Sequence, residues 1–143
     1  MSTLFSRILA GELPGRFVWQ DPDVAAFLSI APVTPGHTLV VPRQEVDQWT
    51  DADGDLLARC VHVAQAVGRG VKHAWDAPRA GLVVAGFEVP HLHIHVAPAW
   101  GMGDFDFSRA EVEKDEAALD DAATRLRAAL RELGFGEHVP AGA

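Results

Sequence analysis

His91-Leu92-His93-Ile94-His95-Val96 sets three imidazoles at alternate positions, with apolar residues filling the gaps. Strict alternation of polar and apolar side chains, two of the apolar ones β-branched, predicts a half-buried β-strand. Successive side chains of a strand point to opposite faces. All three rings would then line one face, with their Cα atoms about 7 Å apart in sequence order. Pro90 enters this strand, and Pro98 and Gly101 are expected to close it.

Working outward, Thr3 to Ala10 has Leu4, Phe5, Ile8 and Leu9 at helical spacing and ends at Gly11, which predicts a short helix. Phe17–Trp19 and Val24–Ile30 read as strands joined by the turn Asp21-Pro22-Asp23, and His37–Val41 as a third strand ended by Pro42. A long helix capped by Asp51 or Asp53 runs to about Trp75, with Leu57, Cys60, Ala64, Val67 and Val71 on one face. Gly81–Ala85 is a fourth strand, and Gly86–Pro90 a tight connection into the histidines. Leu119, Ala122, Leu126, Leu130 and Leu133 stripe a C-terminal helix that stops at Gly134. Hairpins outnumber βαβ units, so the fold class is α+β with a mainly antiparallel sheet.

The 143 residues form one expected domain, 1–143, long enough to bury a core. A net charge of −8 argues against a nucleic-acid partner, which needs a basic face. Cys60 is the only cysteine, so neither an internal disulfide nor a cysteine-based zinc cage is available. No apolar run reaches the length of a membrane span and no signal-peptide layout opens the chain, so no membrane partner and a cytoplasmic location are expected.

Three readings of the histidine row stand side by side: exposed strand residues with no shared role, a metal site, or a catalytic and phosphate-binding row. Neighbouring rings on one extended strand diverge, which disfavours convergence on a single ion. Imidazole is neutral and nucleophilic near pH 7, and flanking ring N–H groups stabilise charge on phosphoryl oxygens. The catalytic row is therefore preferred, with no metal and no cofactor required.

The segment His91–Ala97 also resembles the His-φ-His-φ-His-φ-φ signature of the histidine triad (HIT) family, position for position. Leu4–Pro14 resembles the opening helix and turn of that family, and Ala26–Ile30 with Pro32–Pro42 its hairpin. Glu88-Val89-Pro90 precedes the triad as in many bacterial members. The resemblance covers roughly residues 2–107, leaving a C-terminal helical extension over about 110–134. It implies a HIT-like fold with a short N-terminal helix, one long central helix and a C-terminal helix, usually in a homodimer. It further implies a nucleotide-like small-molecule partner and hydrolysis or transfer at the α-phosphorus of a nucleoside phosphoramidate, dinucleoside polyphosphate or related ester. By position His93 is the nucleophile and His91 and His95 contact the phosphate. Leu4, Phe5, Ile8, Phe27 and Ile30 wall the base pocket, Ser29 takes the ribose position, and Glu88 lies on the substrate side. A nucleotide- or phosphate-binding regulatory protein with little turnover is the alternative.

The chain departs from the family pattern in several places. Thr3 and Ser6 fill the slots of a Cys-x-x-Cys that forms part of a zinc site in many bacterial members, so that zinc is not expected. Ser29 replaces an Asp that grips the ribose. Glu45 replaces a His, and a carboxylate there is placed to orient a triad imidazole. The loop before the triad is short, and Phe87 replaces a Gln; each lost oxyanion donor is worth about 3 kcal/mol. Among minor features, Cys60 reads as a buried inert thiol and His37 as a structural hydrogen-bonding residue. Asp104, Asp106 and Glu111 read as a solvated loop, and Arg125, Arg127 and Arg131 as a solvated face.

Overall fold

Thr3 starts the first helix by accepting a hydrogen bond from the Ser6 N–H, and α1 runs Leu4–Leu9 before Gly11 turns the chain. The computed structural model describes residues 2–110 and 115–141. Its strands are β1 (Phe17–Gln20), β2 (Val24–Leu28), β3 (Thr38–Pro42), β4 (Arg79–Val83) and β5 (Ile94–Ala99). They form one sheet in the order β1-β2-β3-β5-β4, with every neighbouring pair antiparallel. The long helix α2 (Gly54–Trp75) and the C-terminal helix α3 (Glu116–Glu132) complete an α+β domain. Glu111 lies outside the described residues. None of the described helices is long and apolar enough to cross a membrane.

The two faces of the sheet do different things. Alternate residues Ala26, Leu28, Val40, Ile94 and Val96 bury themselves against Val63, Val67 and Val71 of α2 and Leu126 and Leu130 of α3. The intervening residues Phe27, Leu39 and Val41 face the other way and pack with Phe5, Ile8 and Val89. Period-2 alternation thus assigns the helical core to one face and leaves α1 and the histidines to the other.

Three expectations need correction. The strand predicted over the whole triad begins only at Ile94, so His91 and His93 precede it. The reason is Pro42. In the β3–β5 register, Val40 faces Ile94, which would set Pro42 against Leu92, and proline has no N–H to continue the ladder. Leu92 N–H instead donates to the Val46 carbonyl at 2.7 Å, and His91 N–H to that of Val89 at 2.8 Å. Pro98 does not close the strand but lies within it, opposite Ala80. Finally, Arg127 is not on a solvated face: it is buried and donates from Nε to the Phe17 carbonyl at 2.8 Å, and burial lowers its pKa. An arginine stem covers apolar surface well when its head finds a carbonyl.

Candidate active site

His91 is fully buried, His93 is 4% exposed and His95 is half-buried. The His93 and His95 rings meet edge to face with centroids 5.0 Å apart, and Phe5 from α1 leans on His93 at 4.9 Å and on His91 at 6.0 Å. The triad is therefore one packed row even though only its last member lies on a regular strand.

Backbone carbonyls and neighbouring donors fix the proton on each ring, because a carbonyl can only accept. His93 Nδ1 lies 2.7 Å from the His91 carbonyl, so Nδ1 carries the proton and Nε2 carries the lone pair. Among the described residues Nε2 of His93 takes no hydrogen bond, and no fully buried side-chain nitrogen or oxygen lacks one, so this atom reaches solvent. His37 accepts the Val33 N–H on Nδ1 at 3.1 Å. Its Nε2–H then donates to His95 Nδ1 at 2.9 Å. That leaves the His95 proton on Nε2, where it serves as a donor beside the His93 lone pair. Burial, followed by the neighbouring imidazoles, lowers the His95 pKa to about 4 and the His37 pKa to about 3, so both are neutral near pH 7.

His91 departs from its expected role. Its Nε2 donates to the Pro42 carbonyl at 2.8 Å and its Nδ1 lies 2.7 Å from the Thr3 hydroxyl, so neither nitrogen is turned to a phosphate. Burial is the main cause of its lowered pKa. Its contribution is the backbone carbonyl that orients His93.

The other expected site residues divide. Phe5, Ile8 and Phe27 come together, with Phe5 against His93; Leu4 and Ile30 are about half exposed and lie outside that cluster. Ser29 accepts the Ala31 N–H and lines, with Ile30 and His37, a cavity of about 70 Å³ closed by Leu119. Glu88 is exposed and Phe87 is 96% exposed, so neither places a donor over the triad. Glu45 binds the Thr3 N–H and the Ser6 hydroxyl at 3.0 and 2.6 Å, reaching His91 through Thr3 and not directly. Cys60 is buried in the helical core, and burial raises its pKa to about 11.

A zinc ion does not suit this donor set. The cysteine slots hold neutral hydroxyls, which are poor zinc ligands, and His91 has both nitrogens engaged by protein atoms. Among the described residues no group of three or more His, Cys, Asp or Glu is placed to hold an ion.

Two residues outrun the expectations from sequence. His37 was assigned only a structural bond, yet it sets the His95 tautomer. The signal was its position: Leu39 faces His95, so His37 is the diagonal neighbour on the same face. That signal appears only once β3 and β5 are known to pair. Phe107 packs its ring edge to face on His95 at 4.8 Å and on His37 at 5.9 Å, forming a wall on the side away from Phe5.

The neutral buried His37 makes stability depend on pH. Its folded pKa lies below the ordinary 6.5, so the unfolded chain takes up the proton first. Stability from this group is complete above about pH 6.5 and falls toward about pH 3, by up to about 1.4 kcal/mol per pH unit. Urea titrations between pH 7 and 4 are expected to show this acid limb, and His37→Gln is expected to flatten it. An equally steep limb in the variant would contradict the assignment.

Comparison with known proteins agrees with this fold. A model of the HIT domain matches residues 10–101. The chain is 31% identical over 106 residues to protein hit of Bacillus subtilis, covering 71% of this chain and 73% of that one. It is 32% identical over 124 residues to a bifunctional bis(5'-adenosyl)-triphosphatase/adenylylsulfatase of Arabidopsis thaliana, covering 82% of this chain and 65% of that one. Among solved structures, a hypothetical histidine triad nucleotide-binding protein of Sulfolobus tokodaii superposes with a TM-score of 0.80 at 31% identity, over 90% of this chain and 92% of that one. With the matched domain spanning most of the chain and the triad rings packed in one row, the protein belongs to the histidine triad family.

Proposed function

We propose that the protein is a nucleotide-phosphate hydrolase or nucleotidyl transferase that works at the α-phosphorus through a covalent His93 intermediate. The observation that carries this reading is the His93 tautomer: Nδ1–H is held by the His91 carbonyl, and the Nε2 lone pair is left toward solvent beside a donor on His95. The hydrolytic activity named for the Arabidopsis relative and the nucleotide binding named for the Sulfolobus one point to the same substrate class.

In the first step the Nε2 lone pair of His93 forms a bond to phosphorus and the bond to the leaving group breaks. A polyphosphate leaves as its anion; an amine takes its proton from solvent. His95 Nε2–H donates to a phosphoryl oxygen as charge grows there. Because Nδ1 keeps its proton against the His91 carbonyl, the intermediate is an N-phosphorylated imidazolium, a good leaving group. Water then attacks phosphorus, the N–P bond returns its electrons to Nε2, and the water proton passes to solvent. His37, by donating to His95 Nδ1, keeps the His95 proton on the substrate side.

The substrate panel consists of adenosine phosphoramidates and dinucleoside polyphosphates. Release of AMP from at least one of them, above the background of His93→Ala, is expected; no turnover of any would remove the reading. A second reading rests on Phe87, which faces solvent where a donor to the oxyanion is expected: the site binds a nucleoside monophosphate with little turnover. Calorimetric binding without AMP release would favour that reading.

The edge strand β4 and the exposed face of α2 frame a groove of about 860 Å³ with Val61 and Leu82 on its surface. An unpaired strand edge beside exposed apolar side chains suits a second copy of the chain. Homodimerisation across this edge predicts a dimer mass in sedimentation equilibrium and a monomer for Leu82→Lys. A monomeric wild-type protein would contradict it.

A further inference from the structure

We propose that Thr3, Ser6 and Glu45 form a positioning clasp, a hydroxyl–hydroxyl–carboxylate chain that, opposite the Pro42 carbonyl, keeps the proton of a neutral His91 on Nε2 and holds the carbonyl that orients His93. The Thr3 hydroxyl lies 2.7 Å from His91 Nδ1 and 3.1 Å from Ser6 Oγ. It also accepts the Ser6 N–H at 3.0 Å. Ser6 Oγ donates to Glu45 Oε1 at 2.6 Å, and the same oxygen accepts the Thr3 N–H at 3.0 Å.

The direction of these bonds follows from counting hydrogens. Pro42 offers His91 Nε2 only a carbonyl, so Nε2 stays protonated whatever the charge of the ring. Thr3 has one hydroxyl hydrogen and two acceptors in reach. When His91 is neutral, that hydrogen goes to Nδ1. When His91 is cationic, Nδ1–H donates to Thr3, Thr3 turns its hydrogen to Ser6, and Ser6 donates to the Glu45 carboxylate. The cationic ring fills all three contacts. With the neutral ring the Thr3–Ser6 hydroxyl contact holds no hydrogen, and the bonds from the Ser6 N–H to the Thr3 hydroxyl and from the Thr3 N–H to Glu45 keep the chain joined, so in neither state does the ring need to flip. Bonds donated to a carboxylate are also the stronger kind, which anchors the far end of the chain.

The clasp ties three pieces of the molecule together: the start of α1, the segment after β3 that carries Glu45, and the stretch leading into β5. The Leu92 N–H bond to Val46 fastens the last two a second time. Phe5 lies between Thr3 and Ser6 in sequence and rests on His93, so the same clasp sets the wall of the site and the tautomer beside it. Thr3 and Ser6 hold His91 through hydrogen bonds where many relatives of the family carry metal-binding cysteines. That makes the arrangement independent of zinc.

The test uses the full chain labelled with ¹⁵N at histidine, read by long-range ¹H–¹⁵N spectra at pH 7. The wild type is expected to show His91 protonated on Nε2, with Nδ1 shifted by an accepted hydrogen bond, and His93 as a single Nδ1–H tautomer. Thr3→Val is expected to move His91 Nδ1 toward the value of an unbonded nitrogen, to mix the tautomers of His93, and to lower kcat roughly tenfold with KM little changed. Thr3→Ser restores all three. Glu45→Ala removes an exposed side chain and no buried packing; it is expected to shift the same nitrogens in the same direction, and it decides the matter if Thr3→Val fails to fold. Unchanged His91 nitrogens in these variants would overturn the clasp, as would a shift at His91 that leaves His93 a single tautomer. A zinc-dependent change at His91 in the wild type would overturn it too. The kinetic arm rests on the hydrolase reading and the spectra do not, so an inactive wild type with the expected nitrogen shifts strikes the reading and supports the clasp.

Discussion

His93→Ala is expected to lower turnover by at least about 1,000-fold, equivalent to about 4 kcal/mol of transition-state stabilisation. The size of the effect follows from the role. In the proposed mechanism His93 supplies the electron pair, and no other triad nitrogen can replace it: the nitrogens of His91 are engaged by Pro42 and Thr3, His95 Nδ1 is engaged by His37, and His95 Nε2 carries the proton. Loss of any other single donor leaves the covalent route open at a reduced rate. His93→Gly opens a space the size of an imidazole beside Phe5, so added imidazole is expected to recover part of the lost rate. Steady-state release of AMP measures both. A His93→Ala protein within tenfold of the wild type would show that water attacks phosphorus directly.

Gly36→Ala is expected to destabilise the protein by about 3 kcal/mol, lowering the melting temperature by roughly 10 °C. Gly36 has φ +91°, where a Cβ costs about 1–2 kcal/mol. A Cβ built there meets Cζ3 of Trp75 at 2.6 Å, so the Trp75 ring would have to shift as well. The strain falls next to the site, because the Gly36 carbonyl accepts the Thr38 hydroxyl and Gly36 precedes His37. Turnover is therefore expected to drop along with stability. Gly54→Ala is the control: nothing lies within 4 Å of its Cβ position, and alanine is the better helix former. Differential scanning calorimetry of the two variants checks the contrast, and equal melting temperatures would contradict it.

The alternation around the histidines, the apolar stripes of α2 and α3 and the turn residues between strands made the α+β class legible, because each is a local pattern. The start of β5, with the loss of pairing before Ile94, was not legible. It depends on the register that would set Pro42 against Leu92, between strands about fifty residues apart. The same limit applies to the site. The proposed nucleophile, His93, takes its assignment from position in the motif, but its tautomer depends on a backbone carbonyl, and the proton on His95 depends on His37 across the sheet. Arg127 misled because an arginine among acidic neighbours on an amphipathic helix reads as solvated. Only the packing of α3 on β1 shows the Phe17 carbonyl waiting for it.

Ser29, Glu45 and Phe87 each changed a position of the family pattern, with different outcomes. Glu45 was absorbed into a new hydrogen-bonded chain with Thr3 and Ser6. Ser29 was turned to its own backbone, and Phe87 to solvent. The row of rings is thus intact with few donors around it, which in the proposed mechanism places most of the charge stabilisation on His95.

The central claim is that His93 Nε2 bonds to phosphorus. Mass spectrometry of the peptide containing His91–His95, after a single turnover with a dinucleoside polyphosphate and an alkaline quench that preserves the N–P bond, tests it most directly. The account predicts one nucleotidyl group on that peptide, located at His93 by fragmentation and absent from His93→Ala. An adduct on His91 or His95, or product formed with no adduct at any time in the turnover, would contradict it.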